Sequence, residues 1–148
     1  LADKKLSWTV DKEKHTYQLS PQEYTDFATQ QGQLRKDMAE AVLDSRYTEE
    51  QQVELIPELY STAGRIAALD IVPDYSVGTE ERKRIDIYNQ YGIDGLMNWI
   101  AYRKYANTDG KTGINQSEAR AWLNDSDMSE AMKDAFWAAS SSNWKSSR

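Results

Sequence analysis

Two hydrophobic periods divide the chain. Leu6, Trp8 and Val10 share one parity, and Tyr17 and Leu19 resume an alternation after the polar stretch Asp11–His15. A period of two with aromatic and β-branched residues predicts two short strands around a charged turn, with Trp8 and Tyr17 as anchors and His15 as a solvated turn residue. An isolated hairpin is marginal in water, so this one is expected to lie against helices. From Ser20 onward the period becomes helical. Ser20-Pro21-Gln22-Glu23 combines a capping residue, a proline at the first helical position and a glutamate closing a capping box. The predicted helix carries Tyr24, Phe27, Gln31, Leu34, Met38 and Ala41 on one seam and runs to about Asp44.

Thr48-Glu49-Glu50-Gln51 is a second capping box. Its helix carries Val53, Ile56, Tyr60, Ala63 and Ala67, with Leu55, Leu59 and Ile66 widening the apolar face. Pro57 lies inside this pattern and predicts a kink or a break at Ile56, because proline lacks the N–H that bonds the preceding turn. The connection Ser45–Tyr47 is short, which predicts an antiparallel helix pair. Pro73 ends the second helix, and residues 73–78 read as a linker.

Thr79 then caps a helix broken by Gly92. Further helices are expected over about 94–105 and 116–123, with a last one capped by Asp127 or Ser129. The expected fold is mainly α, with about six helices and a short N-terminal β-hairpin. Residues 1–72 would hold the hairpin and helix pair, 79–140 a helix-loop-helix bundle, and 141–148 a serine-rich flexible tail, with a single compact domain as the alternative division. The expected core is Trp8, Tyr24, Phe27, Leu34, Met38, Ile56, Tyr60, Ile66, Leu96, Ile100, Trp122, Phe136 and Trp137.

Composition narrows the chemistry. The chain has 148 residues, a mean hydropathy of -0.81 and no apolar run long enough to span a bilayer, so no membrane insertion is expected. It has no cysteine and one histidine, which excludes thiolate and histidine-cluster metal sites within the chain. The net charge is -6. Residues 1–78 carry 14 acids against 8 bases, whereas residues 79–148 carry 10 of each. The densest basic run, Arg82-Lys83-Arg84, follows Glu80 and Glu81 and reads as a solvated helix start, so nucleic acid is not the expected partner.

The segment Asn107–Glu118 has the frame of an EF-hand loop, twelve residues between two helices. Asn107, Asp109, Asn115 and Glu118 place oxygen donors at loop positions 1, 3, 9 and 12, and Ile114 takes the hydrophobic position 8. Lys111 stands where an acceptor is usual, and glycine falls one place late, at Gly113 rather than at Thr112. Two readings stay open. In one, Asn107, Asp109, Gly113, Asn115 and Glu118 form a weak Ca²⁺ site. In the other, the loop keeps its helix-loop-helix shape without metal, Asp109 stabilises a local turn and Asn115 caps the following helix. No other cofactor is expected.

Several runs resemble the C-terminal parts of large phage and mobile-element proteins. They are Leu19-Ser20-Pro21-Gln22-Glu23-Tyr24, Tyr47-Thr48-Glu49-Glu50-Gln51-Gln52, Ile114-Asn115-Gln116-Ser117-Glu118-Ala119, the stretch from Met128 to Trp137, and Asn143-Trp144-Lys145. The resemblance covers about residues 17–72 and 105–145, and the proteins concerned are polyvalent, internal virion and tape-measure-like proteins. In that family the loop carries a fuller acidic set, from which Asn107, Lys111 and Thr112 depart. The resemblance implies a structural or interaction protein in a virion or a host bacterial cytoplasm. It also implies partners that are other proteins, virion components or further copies of the chain. Leu1, in place of Met, fits a piece of a longer or proteolytically matured chain.

The sequence points away from an enzyme. It carries no GxSxG, glycine-rich phosphate loop or HExxH motif, and His15 is the only imidazole for a serine nucleophile. Glu49, Glu50, Glu54 and Glu58 form an acidic stripe; carboxylates there suit the positive end of a helix dipole better than glycoside cleavage. A non-enzymatic interaction module is the leading expectation. The alternatives are a calcium-responsive helical module and an acidic mimic of DNA.

Overall fold

The computed structural model describes residues 4–72, 79–106, 115–140 and 148. The order is β1 (Lys5–Val10), β2 (Glu13–Gln18), α1 (Pro21–Leu43), α2 (Glu49–Ala68), α3 (Glu80–Tyr105), α4 (Gln116–Asp125) and α5 (Glu130–Ser140). The protein is mainly helical, with a two-stranded antiparallel hairpin at its start. It divides into two compact units, Leu1–Asp86 and Ile87–Arg148. The expected linker 73–78 and all of the expected tail except Arg148 lie outside the described residues.

In the first unit the hairpin turns on Asp11 and Lys12, both at positive φ (51° and 68°), as a two-residue hairpin turn requires. His15 is therefore not a turn residue. It lies in β2 opposite Trp8, with the rings stacked at 5.5 Å. The early start of β2 left no alternation to read, because all six of its residues are exposed. Tyr17 is 38% exposed, and its hydroxyl donates to the Glu23 carboxylate at 2.9 Å, joining the hairpin to the first turn of α1.

Both capping boxes form: the Ser20 and Thr48 hydroxyls accept from the backbone N–H groups of Glu23 and Gln51, whose side chains return the bond. The helices pair antiparallel, since Arg35 lies over the Tyr60 ring while Gln31 reaches Gly64 further along. A Cβ at Gly64 would come within 2.8 Å of the Gln31 amide, so glycine permits this approach. The buried face of α2 is Leu55, Leu59, Thr62, Ala63, Ile66, Ala67 and Ala68. Val53, expected on that face, is 71% exposed, and Ile56 and Tyr60 are half-buried. Two apolar stripes overlap on this helix, and the one starting at Leu55 is the one turned inward. Pro57 neither splits nor ends α2, which continues from Glu49 to Ala68. Proline leaves the Val53 carbonyl without its helical partner, and that carbonyl lies at an exposed position where water can satisfy it. Arg84 of α3 bonds the Glu58 carboxylate at 2.9 Å, tying the start of α3 to α2.

In the second unit Gly92 departs from helical geometry (φ 73°, ψ -161°), so α3 is two helices joined at a sharp kink. Counting them separately gives the six of the sequence reading. Trp99, Tyr102, Ala119, Leu123, Phe136 and Trp137 form a buried cluster. Phe136 meets Trp99 edge-on at 5.3 Å, and the Tyr102 ring lies 5.8 Å from it. Trp122 packs against this cluster while only partly buried. Ser129 caps α5 by accepting from the Met132 N–H. Arg148 reaches Glu130 and Asp134 of α5 and Asn124 of α4.

Candidate functional site

Of the loop proposed for a cation, Asn107, Asp109 and Gly113 lie outside the described residues. Asn115 and Glu118 are described. The Asn115 side-chain oxygen accepts from the backbone N–H groups of Ser117 (2.9 Å) and Glu118 (3.1 Å), so it caps α4. Among the described residues no cluster of three or more carboxylate or imidazole groups is placed to hold a metal. The acidic stripe is partly committed as well, because Glu58 pairs with Arg84.

The first unit contains a cleft of about 710 Å³ between the hairpin and the helices. Four successive residues of β1, Leu6, Ser7, Trp8 and Thr9, border it. Successive strand residues point to opposite faces, so a cavity touching all four runs along the strand edge as well as beneath one face. The opposite wall is α2, which presents Ser61, Gly64, Arg65 and Ala68 at helical spacing, with Phe27 of α1 beside it. Leu6, Trp8 and Val10 are half-buried, and Lys5, Ser7 and Thr9 are exposed. Trp8 and Phe27 were expected in the core. They are only half-buried, and both border this cleft. Tyr24 is also half-buried, with the Lys4 ammonium 4.7 Å from its ring centre.

The charged groups on the helical wall are committed to each other: Arg65 pairs with Glu81 at 3.7 Å. Lys12 and Asp11 stand at the turn end. Outside the cleft lining, where the hairpin joins α1, the Glu23 carboxylate is held below its ordinary pKa, first by the backbone N–H of Ser20 and then by the Tyr17 hydroxyl. The same contact raises the Tyr17 phenol. Arg65, Glu81 and the β1 edge were not foreseen as a site. The available signal was the Ser7 and Thr9 parity of β1, polar positions that mark one face of a strand.

What the cleft offers a ligand is two aromatic side chains, a strand edge, and the charged Asp11 and Lys12 at the turn end. Among the described residues no helix is long and apolar enough to cross a membrane. The chain matches no family model, no curated protein and no solved structure.

Proposed function

We propose that this chain is a non-enzymatic interaction module of a phage or mobile-element protein, a virion-associated component or a piece of one, that works by holding another protein in the cleft beneath its hairpin. The carrying observation is the pairing of that open cleft with two incompletely buried aromatic side chains, Trp8 and Phe27, on its border. Large aromatic side chains dominate binding energetics where they meet a partner. The charge on the helical wall supports the reading. Arg65 of α2 and Glu81 of α3, both bordering the cleft, pair with each other, which suits a binding surface better than a site that must move protons. The resemblance of the capping-box segments to phage internal proteins supplies the biological setting.

The test is the protein content of purified particles of the phage or element that encodes the chain. The wild-type chain is expected at a fixed ratio to the major structural proteins. The double variant Trp8→Ala, Phe27→Ala is expected to fold and to be depleted from particles. Absence of the wild-type chain from particles overturns the virion assignment, and undiminished incorporation of the double variant overturns the use of the cleft.

A further inference from the structure

The register of the hairpin determines which backbone groups of β1 are directed away from β2. The turn is two residues long, so Val10 and Glu13 form the hydrogen-bonded pair that closes it. Bonded and non-bonded pairs then alternate. Trp8–His15 and Leu6–Tyr17 are bonded pairs, and the Leu19 N–H to Lys4 carbonyl bond of 2.9 Å continues the series. Lys5, Ser7 and Thr9 therefore direct their N–H and C=O groups outward, to the edge that Ser7 and Thr9 share with the cleft. These backbone groups have no partner among the described residues.

Resting on the cleft as a protein-binding surface, we infer that β1 accepts one extended peptide strand of alternating apolar and acidic residues, which adds to its outer edge and extends the hairpin to three strands. Three observations define the occupant. The outward backbone groups of Lys5, Ser7 and Thr9 match the ladder of an added strand, which lies about 4.8 Å from its neighbour. The β1 faces alternate, with half-buried Leu6, Trp8 and Val10 on one side and exposed Lys5, Ser7 and Thr9 on the other, so the added strand must alternate as well. The apolar side chains of the peptide continue the sheet face that carries Trp8. The local charge is basic, although the chain as a whole is acidic. Residues 4–19 hold four lysines, Lys4, Lys5, Lys12 and Lys14, against Asp11 and Glu13. Lys5 stands at one end of the edge, and Lys12, beside Asp11, at the other. Acidic side chains on the polar face of the peptide meet Lys5 directly, and like charges there repel it.

The test titrates the isotope-labelled full chain with a synthetic ten-residue peptide of alternating Val and Glu, followed by amide NMR. The expected result is saturable binding that shifts the Ser7 and Thr9 amides and slows their hydrogen exchange. Replacing Glu by Lys in the peptide is expected to weaken binding at least tenfold, as is N-methylation of alternate peptide amides on the paired edge. Thr9→Pro removes one outward N–H while sparing every bond to β2, and it is also expected to weaken binding tenfold or more. The peptide variants keep the test valid if that substitution disturbs the hairpin. Binding that ignores N-methylation and leaves the Ser7 and Thr9 amides unmoved overturns strand addition while leaving the cleft as a protein-binding surface. Equal binding of the Lys and Glu peptides overturns the acidic specificity. Absence of binding by the Glu peptide overturns the inference, whereas the proposed function stands or falls separately on incorporation of the Trp8→Ala, Phe27→Ala variant into particles.

Discussion

The two units use aromatic residues in opposite ways. In Ile87–Arg148, Trp99, Tyr102 and Phe136 are essentially inaccessible and touch one another at ring-centre distances of 5.3 to 5.8 Å. In Leu1–Asp86, Trp8, Tyr24, Phe27 and Tyr60 are all half-buried, and the innermost positions go to Met38, Val42, Leu55, Leu59 and Ala63. An aliphatic seam between two antiparallel helices closes on itself and leaves these four rings at its margin, while Tyr47, in the connection between the helices, is buried. The kinked α3 and the short α4 and α5 have no long seam to share, and large rings fill the space among them. The same residue types thus stabilise one unit and border an open cleft in the other. Burial, rather than aromatic content, decides which of the two they do.

The sharpest way to break this comparison is to truncate one phenylalanine in each unit. Phe136→Ala removes a ring with no exposure and two aromatic neighbours, and is expected to cost about 3–5 kcal/mol. Phe27→Ala removes a half-buried ring at an open cleft, where no sealed cavity results, and is expected to cost about 1 kcal/mol. Denaturant unfolding followed by circular dichroism and tryptophan fluorescence reads both. Equal costs would mean that the cleft closes over Phe27 in solution.

The next effect probes how closely the second unit is packed. A Cβ at Gly95 would fall inside the contact distance of the Tyr91 Cβ and reach the Ile87 side chain at 3.4 Å. The obstacle is the root of a side chain beside the Gly92 kink, so it cannot swing away. Gly95→Ala is expected to destabilise by about 1–3 kcal/mol despite the better helix propensity of alanine. A stabilised variant would show that the kink relaxes freely.

A smaller effect belongs to the first unit. Thr48→Ala deletes the hydroxyl that accepts from the Gln51 N–H and is expected to cost about 1 kcal/mol, seen as a lower denaturation midpoint at unchanged m. Thr48→Ser should restore most of it. A full loss with Ser would show that the threonine methyl, not the hydroxyl, matters.

These caps also show what can be read locally. Ser20, Thr48, Thr79 and Asn115 each bond a backbone N–H two or three residues away, so four adjacent letters contain the whole interaction. The break at Gly92 was legible for the same reason. The rotation of α2 was not, because Val53–Ile56–Tyr60 and Leu55–Leu59–Ile66 are both apolar at helical spacing and only the placement of α1 chooses between them. The second strand was legible at Tyr17, but its start was not, because Glu13, Lys14, His15 and Thr16 bury nothing. The cleft was furthest from view. It depends on Leu6–Thr9 and Ser61–Ala68 facing each other across more than 50 residues of chain, and no spacing within either segment records that.

The smallest expected effect is a pH dependence at the junction of the hairpin with α1. Glu23 has a folded pKa below its ordinary 4.5, since the Ser20 N–H and the Tyr17 hydroxyl both favour the carboxylate. A depressed carboxyl contributes stability that is fully present above the unfolded pKa and is lost as pH falls through the folded one. Tyr17 is raised above its ordinary 10.0 by the same carboxylate, so its contribution is present below that value and is lost as pH rises through the folded one. Amide exchange at Ser20 and Glu23 is therefore expected to lose protection as pH falls below 4.5. Glu23→Gln keeps a residue able to close the capping box but cannot ionise, and should flatten the acid limb. If the acid limb persists in that variant, another carboxylate holds the junction, and the hairpin is not tethered through Tyr17 and Glu23.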